Sequence, residues 1–192
     1  MKVTIPERTF ERLLSATKHS VANGDPREEL CHIKLTVTKN SITAFSCDGY
    51  RASKITFEAE ADEDFVIWIK PFSFKASKSG MRIVKIESID LYICISIQNE
   101  KYDECFYQFP KKNIVSKINV ENLFAIERDQ KFACNTKYFK DALNAVSAVT
   151  NDRLKTAIIK TVTDKPTETI LIEATDETFD FKQIVLPVRF GN

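Results

Sequence analysis

The order strand, helix, three strands occurs twice within the first 110 or so residues, and this repeat limits the possible folds most. Residues 33–38 alternate between apolar and polar side chains, which is the period-two pattern of a strand with one buried face. An earlier segment follows helical spacing instead and predicts one buried stripe. The stripe contains Phe10, Leu13, Leu14, Thr17 and Val21. The pattern predicts an α+β fold built from pseudo-repeated half-units.

Turn and breaker residues divide the two copies. A helix is predicted to open at Pro6, because proline suits the first helical position, and to end at Asn23 and Gly24. A second helix is predicted from Pro71 to Gly80. The predicted strands are Lys2–Ile5, residues 33–38, Ile42–Cys47, Ile55–Ala59, Phe65–Ile69, Ile83–Glu87, Leu91–Ile97 and Cys105–Phe109.

A basic segment, Pro110–Lys117, is predicted to be a linker, and no helix is predicted between Lys111 and Gln130. One further half-unit follows, with a third helix capped by Asn135. Its predicted strands are Lys131–Cys134, Ala157–Val162, Ile170–Ala174 and Phe179–Val188. The sequence therefore predicts a domain over residues 1–110 and a partial domain, half of the repeat or a degraded whole, over residues 111–192.

Composition indicates a globular protein without a dominant charge. The 192 residues suffice for a substantial core, and a net charge of +1 gives no global attraction to nucleic acid. The five cysteines include no C-x-x-C pair and are expected to be buried free thiols in a reducing compartment. No signal peptide is evident and the apolar runs are too short to span a membrane, so we expect a cytoplasmic protein.

Residues for catalysis are few. The chain has two histidines, neither spaced for a nucleophilic triad, and four glycines, too few for a phosphate-cradling loop. The acidic run from Glu58 to Asp64 lacks the ligand spacing of a calcium loop and is expected to be a solvated loop. The sequence predicts no catalytic residues, no metal and no cofactor.

Two separated motifs carry a resemblance to a known family. One is Asp25-x-Arg27-x-x-Leu30 followed by the turn Cys47-Asp48-Gly49-Tyr50-Arg51-Ala52, and the other is the ending Val185–Phe190. Together they resemble bacterial DNA sliding clamps, the β subunit of the replicative DNA polymerase. The first resembles the family's middle domain, and the second resembles the end of its last domain. The family's first domain has no counterpart here, and Ala52 stands where the family usually has leucine.

The resemblance implies the DNA-clamp fold, with antiparallel sheets outside and helices packed on their inner face. It also implies a pocket between domains that accepts short apolar-ended peptides of polymerases and loader proteins. The matching residues are Leu30, Cys47, Gly49, Tyr50, Arg51, Ala52, Ile184, Leu186, Pro187, Val188, Arg189 and Phe190. The alternative is that Asp48-Gly49 is only a hairpin turn and residues 186–190 only an edge strand.

In the same family, helices with basic outer faces surround duplex DNA and contact phosphates without reading bases. The corresponding residues here are Arg8, Arg12, Lys18, His19, Lys75, Lys78, Lys137 and Lys140. The alternative is an ordinary solvated helix face, because Glu7, Glu11 and Asp141 dilute the basic stripes.

The resemblance thus predicts a clamp-like processivity factor that binds duplex DNA non-specifically and recruits partner proteins through the peptide pocket. The alternative is an adaptor or decoy that binds such peptides without encircling DNA. Three helical half-units per chain would let four chains restore a ring with the family's number of helices. A tetramer, a dimer and a monomer all stay open at this point.

Overall fold

The computed structural model describes residues 1–79, 81–98, 103–125, 133–149, 156–161, 169–175 and 180–187. The chain forms two compact units, unit 1 over Met1–Phe124 and unit 2 over Ala125–Asn192. Within the described ranges, no helix is long and apolar enough to cross a membrane.

Unit 1 consists of two antiparallel sheets and helix α1 (Glu7–Thr17), with a short helix α2 (Val120–Ala125) at its end. Its strands are β1 (Lys2–Pro6), β2 (Ile33–Thr38), β3 (Ser41–Cys47), β4 (Ala52–Glu58), β5 (Glu60–Ala61), β6 (Phe65–Ile69), β7 (Ile83–Ile89), β8 (Tyr92–Gln98) and β9 (Asp103–Pro110). One sheet has the order β4-β3-β2-β6 and the other has the order β5-β1-β7-β8-β9.

The two half-units of unit 1 exchange strands. Strand β1 of the first half pairs with β7 of the second, with Ile5 opposite Val84. Strand β6 of the second half pairs with β2 of the first, with Ile69 opposite Ile33. The predicted fold class and its pseudo-repeat are therefore confirmed, and each half completes the sheet of the other.

The core of unit 1 follows the predicted periodicity. Alternate residues of β2 and β7 are buried, and α1 buries Phe10, Leu13 and Leu14 against them. Helix α1 ends at Thr17, earlier than predicted, and a 3-10 turn follows over Lys18–Ser20. The Ser46 hydroxyl donates to the Thr17 carbonyl at 2.6 Å and occupies an acceptor that a longer helix would use.

The helix predicted from Pro71 is wrong, because residues 70–79 are not helical. Phe72 and Phe74 both pack against Phe10, with ring centroids 6.0 and 5.0 Å away. Residues two apart reach the same side in an extended chain but nearly opposite sides of a helix, so this packing favours extended backbone. Lys75 and Lys78 therefore lie on an irregular segment. Gly80, the predicted helix end, lies outside the described residues.

The expectation of no helix between Lys111 and Gln130 is also wrong, because α2 occupies part of that segment. The Asn119 side chain caps it by accepting the N–H of Asn122 at 2.9 Å. Val120 is buried, and the Phe124 ring meets Phe45 edge-on with centroids 6.4 Å apart. These contacts attach the segment to unit 1, and the compact units divide after Phe124.

Unit 2 contains a single half-unit among its described residues. It comprises α3 (Thr136–Val149), β10 (Ile158–Lys160), β11 (Ile170–Thr175) and β12 (Asp180–Val185) in the sheet order β10-β11-β12. Asn135 caps α3 as predicted, accepting the N–H of Lys137 at 3.0 Å. Cys134 forms an isolated antiparallel bridge with Pro187. The predicted strand ends at Lys131, Val162, Phe179 and Val188 lie outside the described residues.

Four of the five cysteines agree with the expectation of thiols outside disulfides. Cys31, Cys47, Cys94 and Cys134 form no disulfide. Each of these four is only partly buried, so the expectation of full burial is wrong.

Candidate functional site

The first predicted motif folds into a turn that its own side chains hold in place. Asp48 Oδ1 accepts the N–H groups of Tyr50 and Arg51 at 3.0 Å, and Asp48 Oδ2 accepts Arg51 Nε at 2.8 Å. Burial alone would raise the pKa of Asp48, but these hydrogen bonds outweigh it and lower the pKa. Gly49 has a φ of +90°, a backbone conformation that favours glycine. The Asp48-Gly49 dipeptide thus supplies a fixed turn.

Arg27 and Leu30 lie against this turn. A Cβ atom on Gly49 would lie 3.6 Å from Arg27 Nη2 and 4.0 Å from Leu30 Cδ1. Asp25 holds Arg27 through two side-chain hydrogen bonds of 2.9 Å, and these lower the pKa of Asp25 to about 2. The structure therefore brings the two parts of the first motif together.

The predicted pocket residues of unit 1 differ in what they present to a ligand. Tyr50 is fully exposed and Arg51 is exposed, whereas Cys47 and Ala52 are partly buried. Leu30 is buried, so it supports the turn from below and offers little surface of its own. The exposed surface here is consequently aromatic and cationic, with Arg27 as a further cation that the sequence analysis did not assign to the site.

Unit 2 carries a groove of about 410 Å³ next to its second predicted motif. Strand β12 buries Val185 in the core and so turns Ile184 and Leu186 outward, where they are 62% and 70% exposed. Three of the groove residues were predicted: Ile184, Leu186 and Pro187. The groove is lined by Asn135, Tyr138, Asp141, Gln183, Ile184, Val185, Leu186 and Pro187. Val188, Arg189 and Phe190 lie outside the described residues.

Three further groove residues, the cap of α3 and two residues within this helix, were not predicted to belong to the site. Asn135, Tyr138 and Asp141 are spaced three apart, which places them on one face of the first helical turns. Tyr138 is 58% exposed. The signal in the sequence was this spacing of three, which begins at the helix cap. It places the three residues on a different face of α3 from the core residues Phe139, Ala142 and Val146.

The basic residues predicted to face DNA are exposed in both helices that carry them. On α1, Arg8 and Arg12 are exposed; His19 is exposed and Lys18 is half-buried on the 3-10 turn. On α3, Lys137 and Lys140 are exposed. Arg8 Nη2 donates to the carbonyls of Lys78 and Ser79 at 3.3 and 3.4 Å, so the irregular segment lies beside the start of α1.

Glu7 does not dilute the basic face of α1, because it is fully buried. Its carboxylate accepts the Ser77 N–H at 2.9 Å and the Ser77 hydroxyl, and it pairs with Arg82 Nη2 at 3.0 Å. Burial would raise the pKa of Glu7, but these donors outweigh that effect and lower the pKa to about 2. Glu7 therefore fixes the irregular segment against the first turn of α1, where a negative charge is favourable.

Among the described residues, no group of three or more His, Cys, Asp or Glu side chains could hold a metal ion. His32 is buried and its Nδ1 lies 2.8 Å from the Glu28 carbonyl, which makes it part of the local structure. The candidate surfaces among the described residues are thus the unit 2 groove and the exposed basic helix faces.

No family model and no curated protein matches the sequence. Solved structures do match. The β subunit of DNA polymerase III from Pseudomonas aeruginosa superimposes with a TM-score of 0.79 at 14% identity, over 100% of this chain and 52% of that one. The sliding clamp from Bacillus subtilis gives 0.73 at 14%, over 97% and 49%. A putative DNA polymerase III β subunit from Eubacterium rectale gives 0.74 at 13%, over 100% and 51%.

These matches confirm the resemblance at the level of fold. The chain has the sliding-clamp fold and spans about half the length of the clamps that it matches.

Proposed function

We propose that the protein is a sliding-clamp-like tethering factor that recruits partner proteins through a peptide groove. Its role is binding, without catalysis, in the cytoplasm. The observation that carries the proposal is the groove of unit 2, where Ile184 and Leu186 stay exposed on a chain with the sliding-clamp fold. Large apolar side chains that line a groove with a few polar groups are the usual features of a peptide-binding site.

The chemistry of the groove specifies the peptide class. Ile184, Leu186 and the Tyr138 ring offer an apolar surface to aliphatic or aromatic anchors. Asn135 and Gln183 can exchange hydrogen bonds with the peptide backbone or with a glutamine side chain. The amide N–H groups of the same two side chains can also donate to an acidic residue of the peptide.

A direct titration tests this. We expect a peptide with one acidic residue or glutamine and two apolar anchors to bind with a Kd of roughly micromolar magnitude. The measurement is fluorescence polarisation with a labelled peptide, and the control is the same peptide with both anchors changed to serine. Equal binding of the two peptides, or no binding of either, would remove the groove as a recruitment site.

For DNA, the exposed cations of α1 and α3 support sequence-independent binding to phosphates. Each lost phosphate contact reduces the slope of the logarithm of the binding constant against the logarithm of the salt concentration by about one. Arg12→Glu combined with Lys137→Glu should therefore reduce that slope by roughly two. Affinity for duplex DNA should fall more than about tenfold. The matched control is Lys39→Glu with Lys117→Glu, which changes net charge equally at exposed positions outside the helices. Equal losses in both variants would mean that the helix faces have no special role.

One observation favours the alternative of an adaptor that does not encircle DNA. The helix expected to carry Lys75 and Lys78 is absent from the described segment, so unit 1 presents fewer basic helix faces than predicted. An adaptor would bind the same peptides with the same dependence on Leu186, but it would show no salt-dependent binding to DNA.

A further inference from the structure

The internal symmetry of unit 1 shows how a half-unit of this fold is completed. In the first half, β2 is the first strand after α1. In the second half, β7 is the first strand after the segment 70–79. Both β2 and β7 are interior strands of their sheets. Each of them pairs with a strand of the other half. Strand β2 pairs with β6, which precedes the segment 70–79, and β7 pairs with β1, which precedes α1. Two complementary pairings therefore close the domain, related by a pseudo-two-fold axis.

Unit 2 has the same half-unit with that neighbour missing among the described residues. Strand β10 is the first strand after α3, as β2 is after α1, but it lies at the edge of its sheet. Its Ile158 and Ile159 are 48% and 43% exposed. An edge strand presents unpaired N–H and C=O groups, and an apolar edge is a template for pairing with another chain.

The complementary edge is also present in unit 2. Cys134 immediately precedes the cap of α3, as Ile5 precedes Pro6 at the start of α1. Its bridge to Pro187, just after β12, repeats the pairing of β1 with β5, just after β4. In unit 1 the other side of β1 is taken by β7. Among the described residues of unit 2, no strand occupies the other side of Cys134.

We propose that a second copy of this chain completes unit 2, so that two half-units in two chains form one clamp-type domain. The segment at Cys134 of each copy pairs antiparallel with β10 of the other. The partner is a second copy because one chain carries both complementary edges, and a two-fold axis satisfies both at once, as the two halves do in unit 1.

The exposure of a core-facing side chain supports the same partner. Ile159 pairs with the buried Ile172 and therefore lies on the helix-facing side of the sheet, where a second half-unit would cover it. This inference concerns assembly alone and stands independently of the proposed peptide and DNA binding.

The strand pairing of unit 1 also predicts which residues of the two copies lie opposite each other. Ile5 lies opposite Val84, the first core-facing residue of β7, and Ile69 lies opposite Ile33, the first of β2. In unit 2 the first core-facing residue at β10 is Ala157, which packs against the same cluster as Cys134. Cys134 of one copy should therefore lie opposite Ala157 of the other. Antiparallel partners are about 4.5–5.5 Å apart at Cα, within the range of a disulfide.

Disulfide trapping in the full chain tests this register. Under oxidised glutathione, Ala157→Cys should give a covalent dimer whose cross-linked peptides join Cys134 to the new cysteine. The matched control is Ile158→Cys, since that side chain points to the opposite face of the sheet. The second control combines Ala157→Cys with Cys134→Ser. Both controls should stay largely uncross-linked, and peptide mass spectrometry separates this linkage from those of the other cysteines.

The mass of the unmodified protein provides a measurement that does not depend on any variant folding. Light scattering at micromolar concentration should give a multiple of two chains, each of 22.0 kDa. A monomer over the whole concentration range would overturn the inference. Cross-linking that is equal at positions 157 and 158, or that persists without Cys134, would also overturn it.

Discussion

Leu186→Asp should abolish peptide binding, with an increase in Kd of at least about a hundredfold. Leu186 is 70% exposed in the groove of unit 2, so the change costs the folded protein little, and the penalty arises when a peptide anchor covers the carboxylate. Burying an unpaired charge costs several kcal/mol, and each 1.4 kcal/mol or so is a factor of ten in affinity. Fluorescence polarisation with the labelled peptide measures the change.

Leu91→Asp is the matched control, because Leu91 is 74% exposed on the β7–β8 hairpin of unit 1 and lines no part of the groove. It should bind peptide as the unmodified protein does. Tyr138→Ala removes an aromatic wall of the groove without adding charge and should weaken binding about tenfold. Binding by Leu186→Asp at the unmodified affinity would show that the peptide, if it binds, does so elsewhere.

Glu7→Gln should lower the free energy of unfolding by about 3 kcal/mol. The substitution keeps the size of the side chain but removes the charge that Arg82 and the Ser77 donors face. Breaking a buried ion pair by removing one partner costs about 3–5 kcal/mol, and the partial exposure of Arg82 places this case at the lower end. Urea denaturation measures the change.

The control is Glu28→Gln. Its ion pair with Lys112 is exposed, so the loss should be much smaller than that of Glu7→Gln. Equal losses for the two variants would show that the Glu7 network does not fix the segment against α1.

The same network predicts an acid dependence. The pKa of Glu7 is about 2 in the folded protein and 4.5 as its ordinary value. Because the folded pKa is depressed, its stabilisation is fully present above about pH 4.5 and is lost as the pH falls toward 2. The difference in unfolding free energy between the unmodified protein and Glu7→Gln should therefore shrink across that window. Asp25 and Asp48 titrate in both proteins and cancel in the difference.

Much of this fold could be predicted because its strands are half-buried. Period-two alternation places residues 33–38 in a strand, and the short apolar run Phe65–Ile69 predicts another. Both predictions have the bounds that the structure has. The exchange of β1 and β6 between halves could not be predicted in the same way. It depends on which strand edges meet in three dimensions, and side-chain alternation along one strand carries no information about its neighbour.

The two helix errors have one cause. Pro71 and the lysines after it fit a helix locally, but Phe72 and Phe74 gain more by packing together on Phe10. Helix α2 is only six residues long, too short for periodicity to show, and it is stabilised by the Asn119 cap and the burial of Val120. Tertiary contacts therefore determine whether each of the two segments is helical.

The candidate site was predictable where a motif supplies the geometry. The Asp48-Gly49 turn needs only its own residues, and Ile184 and Leu186 face outward because Val185 faces inward. Tyr138 and Asp141 join the groove only through the packing of α3 on β12, which no local pattern contains.

Topological retention on DNA tests the central claim most directly. The protein is incubated with singly nicked circular DNA, washed in high salt to remove electrostatic binding, and compared before and after one restriction cut. A clamp-like tether predicts retention on the circle and release once the DNA has ends. Equal retention on circular and cut DNA, or retention on neither, would contradict encirclement and leave the peptide adaptor as the function.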